Sequence, residues 1–169
     1  MLTRSAVQLG SFVWSFGVIA LALRAVPQVR ESERPPMSEG PQSLAIAVAI
    51  LRTSDHFTSA GIGYAGITPN EVLAWRVIFN RPDADSIFQD LLNTATVAGQ
   101  VYALAGLRFS NSGAFTKAAA RLQGNLGLVQ TIRGCIVSTQ TVAELVEDIR
   151  QGDWVREFIA GRLIPAKPS

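Results

Sequence analysis

The chain has 169 residues, 48% of them hydrophobic and 17% charged, which suits one domain with extra segments and is too apolar for a chain that stays disordered. Fifteen Lys and Arg stand against thirteen Asp and Glu. Over residues 42–169 the balance is eleven to ten with no clustered basic face, which excludes nucleic acid as a partner. Cys135 is the one cysteine, so an intramolecular disulfide and a cysteine zinc cluster are excluded as well.

Residues 1–25 read as a membrane segment. After Arg4, residues 5–23 run SAVQLGSFVWSFGVIALAL without a charge, and Arg24 closes the run. As a helix this stretch spans about 28 Å, close to the hydrocarbon core of a bilayer. Two readings stay open. A cleaved signal peptide would use Arg4 as its basic start and Ala20-Leu21-Ala22 as its small-x-small cleavage site. An uncleaved anchor would keep the helix as a membrane contact. Trp14 sits mid-run rather than at an interface, and arginines flank both ends, so the positive-inside rule does not fix an orientation. Either way the expected location is the membrane or the exported side of the cell envelope.

Residues 26–42 carry four prolines and a cluster of charges without apolar periodicity, and they read as an extended linker. A compact, mainly α domain of about five helices follows over residues 43–164, and residues 165–169 form a tail. Ser43 can cap a buried Ala/Ile-rich helix over residues 43–53, although Ile46, Val48 and Ile50 also alternate as in a strand. Residues 56–67 read as a glycine-spaced loop. Thr68, Pro69 and Glu71 then read as N-cap, first helical position and capping box of a helix that stops near Asn80.

Asp83 or Asp85 is expected to cap a long helix over residues 86–108, with a break near residues 94–96. Phe88, Leu91, Ala95, Ala98, Tyr102, Ala105 and Phe109 recur on one face. Residues 91–107 carry no charge, and their small residues allow close helix packing, so this is the expected central helix. A second membrane span is the competing reading, opposed by Asn93, Thr94, Thr96 and Gln100. Residues 112–123 form a further helix with Phe115, Ala119 and Leu122 inward, ended by a glycine at 124. Residues 88–122 look faintly like one unit of a HEAT-type helical repeat, but no second copy follows at a fixed period. Residues 128–138 suit a small β-hairpin turning at Arg133-Gly134, or a single bent strand. Thr141 and Glu144 form a second capping box, starting a helix that stops at Gly152. A last short helix puts Trp154, Phe158 and Ile159 on one side.

Motifs that specify a reaction are missing from the sequence. Gly61, Gly63 and Gly66 match G-x-G-x-x-G, but a dinucleotide site needs a core strand before the glycines and a helix opening within them. Here the expected helix starts only at Thr68. Cys135, within an apolar run, reads as a small buried hydrophobe. Glu144, Glu147 and Asp148 read as a solvated helix face. Asp83 and Asp85 lack the rest of a calcium loop. No catalytic residue, cofactor or metal is therefore assigned.

The expected function is a non-enzymatic protein-interaction module of the cell envelope, tethered or exported through residues 5–23. His56, Tyr64, Trp75 and Trp154 are the candidate partner contacts, with core packing the commoner fate of such aromatics. A small subunit of a membrane complex is one alternative. An enzyme with a site around His56, Tyr64 and the glycine loop 61–66 is the other.

Overall fold

The computed structural model describes residues 43–159. The expected membrane helix over 5–23, the linker over 26–42 and the tail over 165–169 lie outside the described residues. The described chain is mainly helical with one small sheet. It has six helices of ten to fourteen residues, against about five expected, and a five-residue turn of helix near its end.

Helix α1 (Leu44–Thr53) starts as its sequence suggests, with the Ser43 side-chain oxygen accepting from the Ile46 N–H at 3.3 Å. This settles helix over strand for residues 44–53. The next segment departs from expectation. Residues 56–62 are a strand, β1 (His56–Ile62), rather than a loop, and Phe57, Thr58 and Ser59 are buried in it. Two of those three are hydroxyl residues, and each is satisfied internally. The Thr58 N–H donates to Tyr102 Oη at 2.9 Å, and Thr58 Oγ1 shares a second 2.9 Å bond with that phenol oxygen. Ser59 Oγ donates to the Gly61 carbonyl at 2.9 Å and accepts from the Gly134 N–H at 3.1 Å.

Helix α2 (Asn70–Phe79) begins one residue later than the motif implied. Pro69 holds the N-cap position with ψ 154°, and no side chain caps the helix. The expected box fails because Ile67 is tied back to Ile62 by two 2.9 Å backbone bonds, which keeps the chain extended through Thr68. Helix α3 (Ala84–Thr94) has Asp83 at its N-cap position, but that carboxylate bonds Arg81 Nε at 2.7 Å instead of the helix. Asp85 does not cap either; it accepts from Asn111 Nδ2 at 3.2 Å.

The break expected near residues 94–96 is present. Thr96 caps helix α4 (Val97–Ser110), accepting from the Gly99 N–H at 3.2 Å. Its hydroxyl also donates to the Ser54 carbonyl, and its N–H reaches the Arg52 carbonyl at 3.0 Å. The start of α4 is thereby fastened to the end of α1. Helix α4 is the centre of the fold, with Val101 to Leu107 all buried. Small residues make this fit. A Cβ on Gly99 would lie 2.2 Å from the Leu51 carbonyl oxygen, and one on Gly106 would lie 2.4 Å from the Phe88 ring. Helix α5 (Ser112–Leu122) is capped by Asn111. It ends at Gln123, and Gly124 does not take the left-handed conformation expected of it.

Strands β2 (Leu128–Gly134) and β3 (Ile136–Thr141) form the expected hairpin. Its loop is Gly134-Cys135, one residue later than anticipated, with Gly134 at φ 59°. Glycine at the first of two loop positions is the pattern of a II′ turn. β1 pairs with β2 in parallel, giving a sheet of order β1-β2-β3. Helix α6 (Val142–Gln151) carries the expected capping box at Thr141 and Glu144 and ends on Gly152 at φ 90°. Turn helix α7 (Val155–Ile159) closes the core. There Phe57 meets Tyr102, Trp154 and Phe158 with ring centroids 4.7, 4.9 and 5.8 Å away, and Trp75 meets Phe158 at 5.3 Å. Burying an aromatic or aliphatic side chain of this size contributes about 1.5–3 kcal/mol. Among the described residues no helix is long and apolar enough to cross a membrane, which removes the second span suggested for residues 91–107.

Candidate functional site

The four candidate contacts separate on inspection. Trp75 is 0% exposed and donates from Nε1 to the Tyr102 carbonyl at 3.2 Å. Trp154 is 3% exposed, with the Arg133 guanidinium 4.8 Å above its ring and its Nε1 3.3 Å from Asp148 Oδ2. Both belong to the core and neither can meet a partner. His56 and Tyr64 remain.

His56 stands at the start of β1 between two carboxylates. Its Nδ1 meets Asp55 Oδ1, and its Nε2 lies 3.6 Å from Glu71 Oε1. Glu71 is free to reach it because the expected capping box did not form. The hydrogen bond with His56, reinforced by its charge, holds the Asp55 carboxyl below the usual carboxylate range. Tyr64 is at the other end of the strand, beyond Ile62. The two ends of the strand are six residue steps apart, about 20 Å. His56 and the glycine loop therefore do not share a site.

The glycine segment is a strand end followed by a tight turn. Gly63 and Gly66 have φ 69° and 62°, and the turn is closed by the paired bonds between Ile62 and Ile67. A side chain at either glycine would be strained. A strand does precede the glycines, contrary to the sequence reading, but helix α2 opens only at Asn70, after the glycines rather than within them. The Gly63 N–H donates to the Gly134 carbonyl at 2.9 Å, which sets this turn against the Gly134-Cys135 turn of the hairpin. The sheet thus ends in a tip made of two adjacent turns. Tyr64 is fully exposed there, Ile67 and Ile136 are 62% and 69% exposed, and Cys135 is exposed rather than buried as expected.

Apolar exposure continues along the hairpin. In β2, Val129 and Thr131 point into the core while Leu128 and Gln130 point out. Register places Val137 opposite Ile132 and Thr141 opposite Leu128 on the outward face. Val137 and Leu128 are 60% and 70% exposed, and Leu126 next to the hairpin is also exposed. β3 is an edge strand, and residues 134–143 carry no charge. Edges of natural sheets are usually blunted by charge, proline or a bulge, and β3 has none of these.

Elsewhere, an open groove of about 540 Å³ lies between α3 and α5, lined in part by Gln89, Asn93, Lys117 and Arg121. Arg121 bonds Asn93 Oδ1 at 3.0 Å and the Leu92 carbonyl at 3.1 Å, so its charge joins the two helices. Among the described residues no group of three or more His, Cys, Asp or Glu could hold a metal ion. Glu144, Glu147 and Asp148 are each engaged by neighbours: Thr141, Arg150 with Gln151, and Gln140 with Trp154.

Compared with protein-family models, curated proteins and solved structures, the chain matches none. The surface found at the sheet tip and on β3 was partly legible as the β-branched run at 128–138. The contribution of Ile67 and the free edge of β3 were not, because both depend on β1, which the sequence hides.

Proposed function

We propose that residues 43–159 are a non-enzymatic protein-interaction module of the cell envelope, tethered or exported through residues 5–23, and that it engages its partner along β3 and the sheet tip. The observation that carries this reading is the uncharged, exposed edge strand flanked by Leu128, Ile136 and Val137. An extended segment added to such an edge gains affinity from backbone hydrogen bonds and specificity from alternate side chains. The envelope location rests on the charge-free run of residues 5–23.

A photo-crosslinking residue at position 137 of the full chain, expressed in its native cells, tests the surface. A discrete adduct is expected from position 137 and none from position 117 in the groove between α3 and α5. Absence of an adduct at 137 removes the surface. Intact mass then tests the tether: a mass beginning near Leu23 means a cleaved signal, and a full-length mass means an anchor that suits a subunit of a membrane complex.

A second reading, an enzyme using His56 as a general base, draws on the carboxylates either side of the imidazole. Replacing His56 with Ala separates the readings. Loss of an activity with folding intact supports catalysis, and a shift in Tm alone supports a structural role.

A further inference from the structure

We infer that the occupant of the β3 edge is a second copy of this chain, paired antiparallel about a two-fold axis at Ser138, so that two three-stranded sheets become one of six strands. This inference rests on the interaction-module reading and names its partner.

The two-residue loop fixes which backbone groups face outward. Arg133 and Ile136 flank the loop and exchange both backbone bonds, as the closing pair of such a hairpin must. Pairs then alternate, so Thr131 with Ser138 and Val129 with Gln140 are also bonded pairs. The residues between them, Val137, Thr139 and Thr141, direct their N–H and C=O groups away from β2. The Thr141 N–H is already taken by Glu144 Oε2 at 2.7 Å, and its C=O, at the N-cap of α6, accepts the first bond of that helix. For Val137 and Thr139 no partner exists among the described residues. The edge therefore offers two donors and two acceptors, at two positions two residues apart.

That arrangement is its own complement. A two-fold axis through Ser138 sets Val137 of each copy opposite Thr139 of the other. Each such pair exchanges two bonds, and all the free groups of both strands are met. Sliding the strands so that Thr139 faces itself would oppose Val137 to Thr141. Both of its groups are occupied, so the Val137 N–H and C=O of each copy would stay unmet. The register through Ser138 is thus preferred by the backbone alone. Charge does not oppose it, because residues 134–143 are neutral and no like charges meet across the axis. On the outward face Val137 packs beside Thr139 of the other copy, which covers a side chain now 60% exposed. The contact is isologous and closed, as expected of a stable homodimer.

Cysteine cross-linking of the full chain in mild detergent tests both partner and register, in a Cys135→Ser background that removes the native thiol. Ser138→Cys places two thiols at the axis. Cα atoms of such a non-hydrogen-bonded pair lie about 4.5 Å apart, within reach of a disulfide at roughly 4.4–6.8 Å. Under mild oxidant the Ser138→Cys chain should dimerise at least tenfold faster than a Ser112→Cys control. Mixed Ile136→Cys and Gln140→Cys chains should cross-link to each other, and neither should cross-link to itself. Adding Thr139→Pro removes an outward N–H that the hairpin does not use, and it should slow the Ser138→Cys reaction at least tenfold. A Ser138→Cys rate no greater than that of the control overturns the inference, as does a cross-link between Ile136→Cys and Gln140→Cys no faster than either alone. If those fail while the position-137 photo-adduct still forms, the partner is a different protein and the module reading stands. Loss of both removes both.

Discussion

Residues 91–107 and residues 134–143 are two stretches of this chain that carry no charge. The first holds most of α4, which is covered by α1, α3, α5 and α6, and whose residues from Val101 to Leu107 are all buried. The second holds β3, whose first four residues are all exposed. The same sequence property therefore has two structural meanings. In α4 the absence of charge is matched by small residues that let neighbouring backbones close in. In β3 it is matched by outward backbone groups and β-branched side chains that no described residue covers. An uncharged stretch is usually a covered one, and among the described residues nothing covers the first four residues of β3.

The contrast can be broken most strongly at α4. Gly99→Ala would drive a methyl group to 2.2 Å from the Leu51 carbonyl oxygen, a backbone atom that cannot swing aside. Overpacking of this kind should cost about 3 kcal/mol, read as a fall in the urea midpoint of the full chain. Gly106→Ala, which meets the Phe88 ring, should destabilise in the same direction. Tyr102→Phe comes next. It removes the phenol oxygen that accepts the Thr58 N–H, leaving a buried donor unmet at a cost of roughly 1–3 kcal/mol. Thr141→Ala, at the junction of β3 and α6, should cost about 1 kcal/mol through loss of its cap.

That cap also gives a pH dependence. Hydrogen bonds from the Thr141 N–H and hydroxyl hold the Glu144 carboxyl below its ordinary value of 4.5. A lowered value in the folded state stabilises above the unfolded value and is lost as pH falls through the folded one. Thermal unfolding should therefore show stability falling below about pH 4.5, and less steeply for Thr141→Ala. The smallest effect belongs to the exposed hairpin. Leu128→Ser or Ile136→Ser should change folding stability by no more than about 0.5 kcal/mol while weakening association. A larger loss of stability would mean that these side chains are already covered within the domain.

Legibility in the sequence followed the locality of the signal. Thr141 and Glu144 were read correctly as a capping box because nothing distant competes for them. Thr68 and Glu71 have the same spacing and failed, because the bonds between Ile62 and Ile67 hold the chain extended and Glu71 turns to His56. β1 was hidden for a related reason. Its buried residues include Thr58 and Ser59, which look solvent-facing until Tyr102 and Gly134 are brought to them from far along the chain. Without β1, the sheet tip and the status of β3 as an edge had no basis. Cys135 was misread because its apolar neighbours suggested a core strand, whereas a two-residue turn places it outside. The aromatic contacts divided by depth: Trp75 and Trp154 pack the core, and Tyr64 stands free at a turn.

Amide hydrogen exchange of the full chain at two protein concentrations tests the central claim most directly. The expected result is that the Val137 and Thr139 amides exchange at least tenfold more slowly in the concentrated sample, while the Ser138, Gln140 and α4 amides stay protected in both. If Val137 and Thr139 exchange at a single fast rate at both concentrations, β3 pairs with no second copy and the dimer is contradicted.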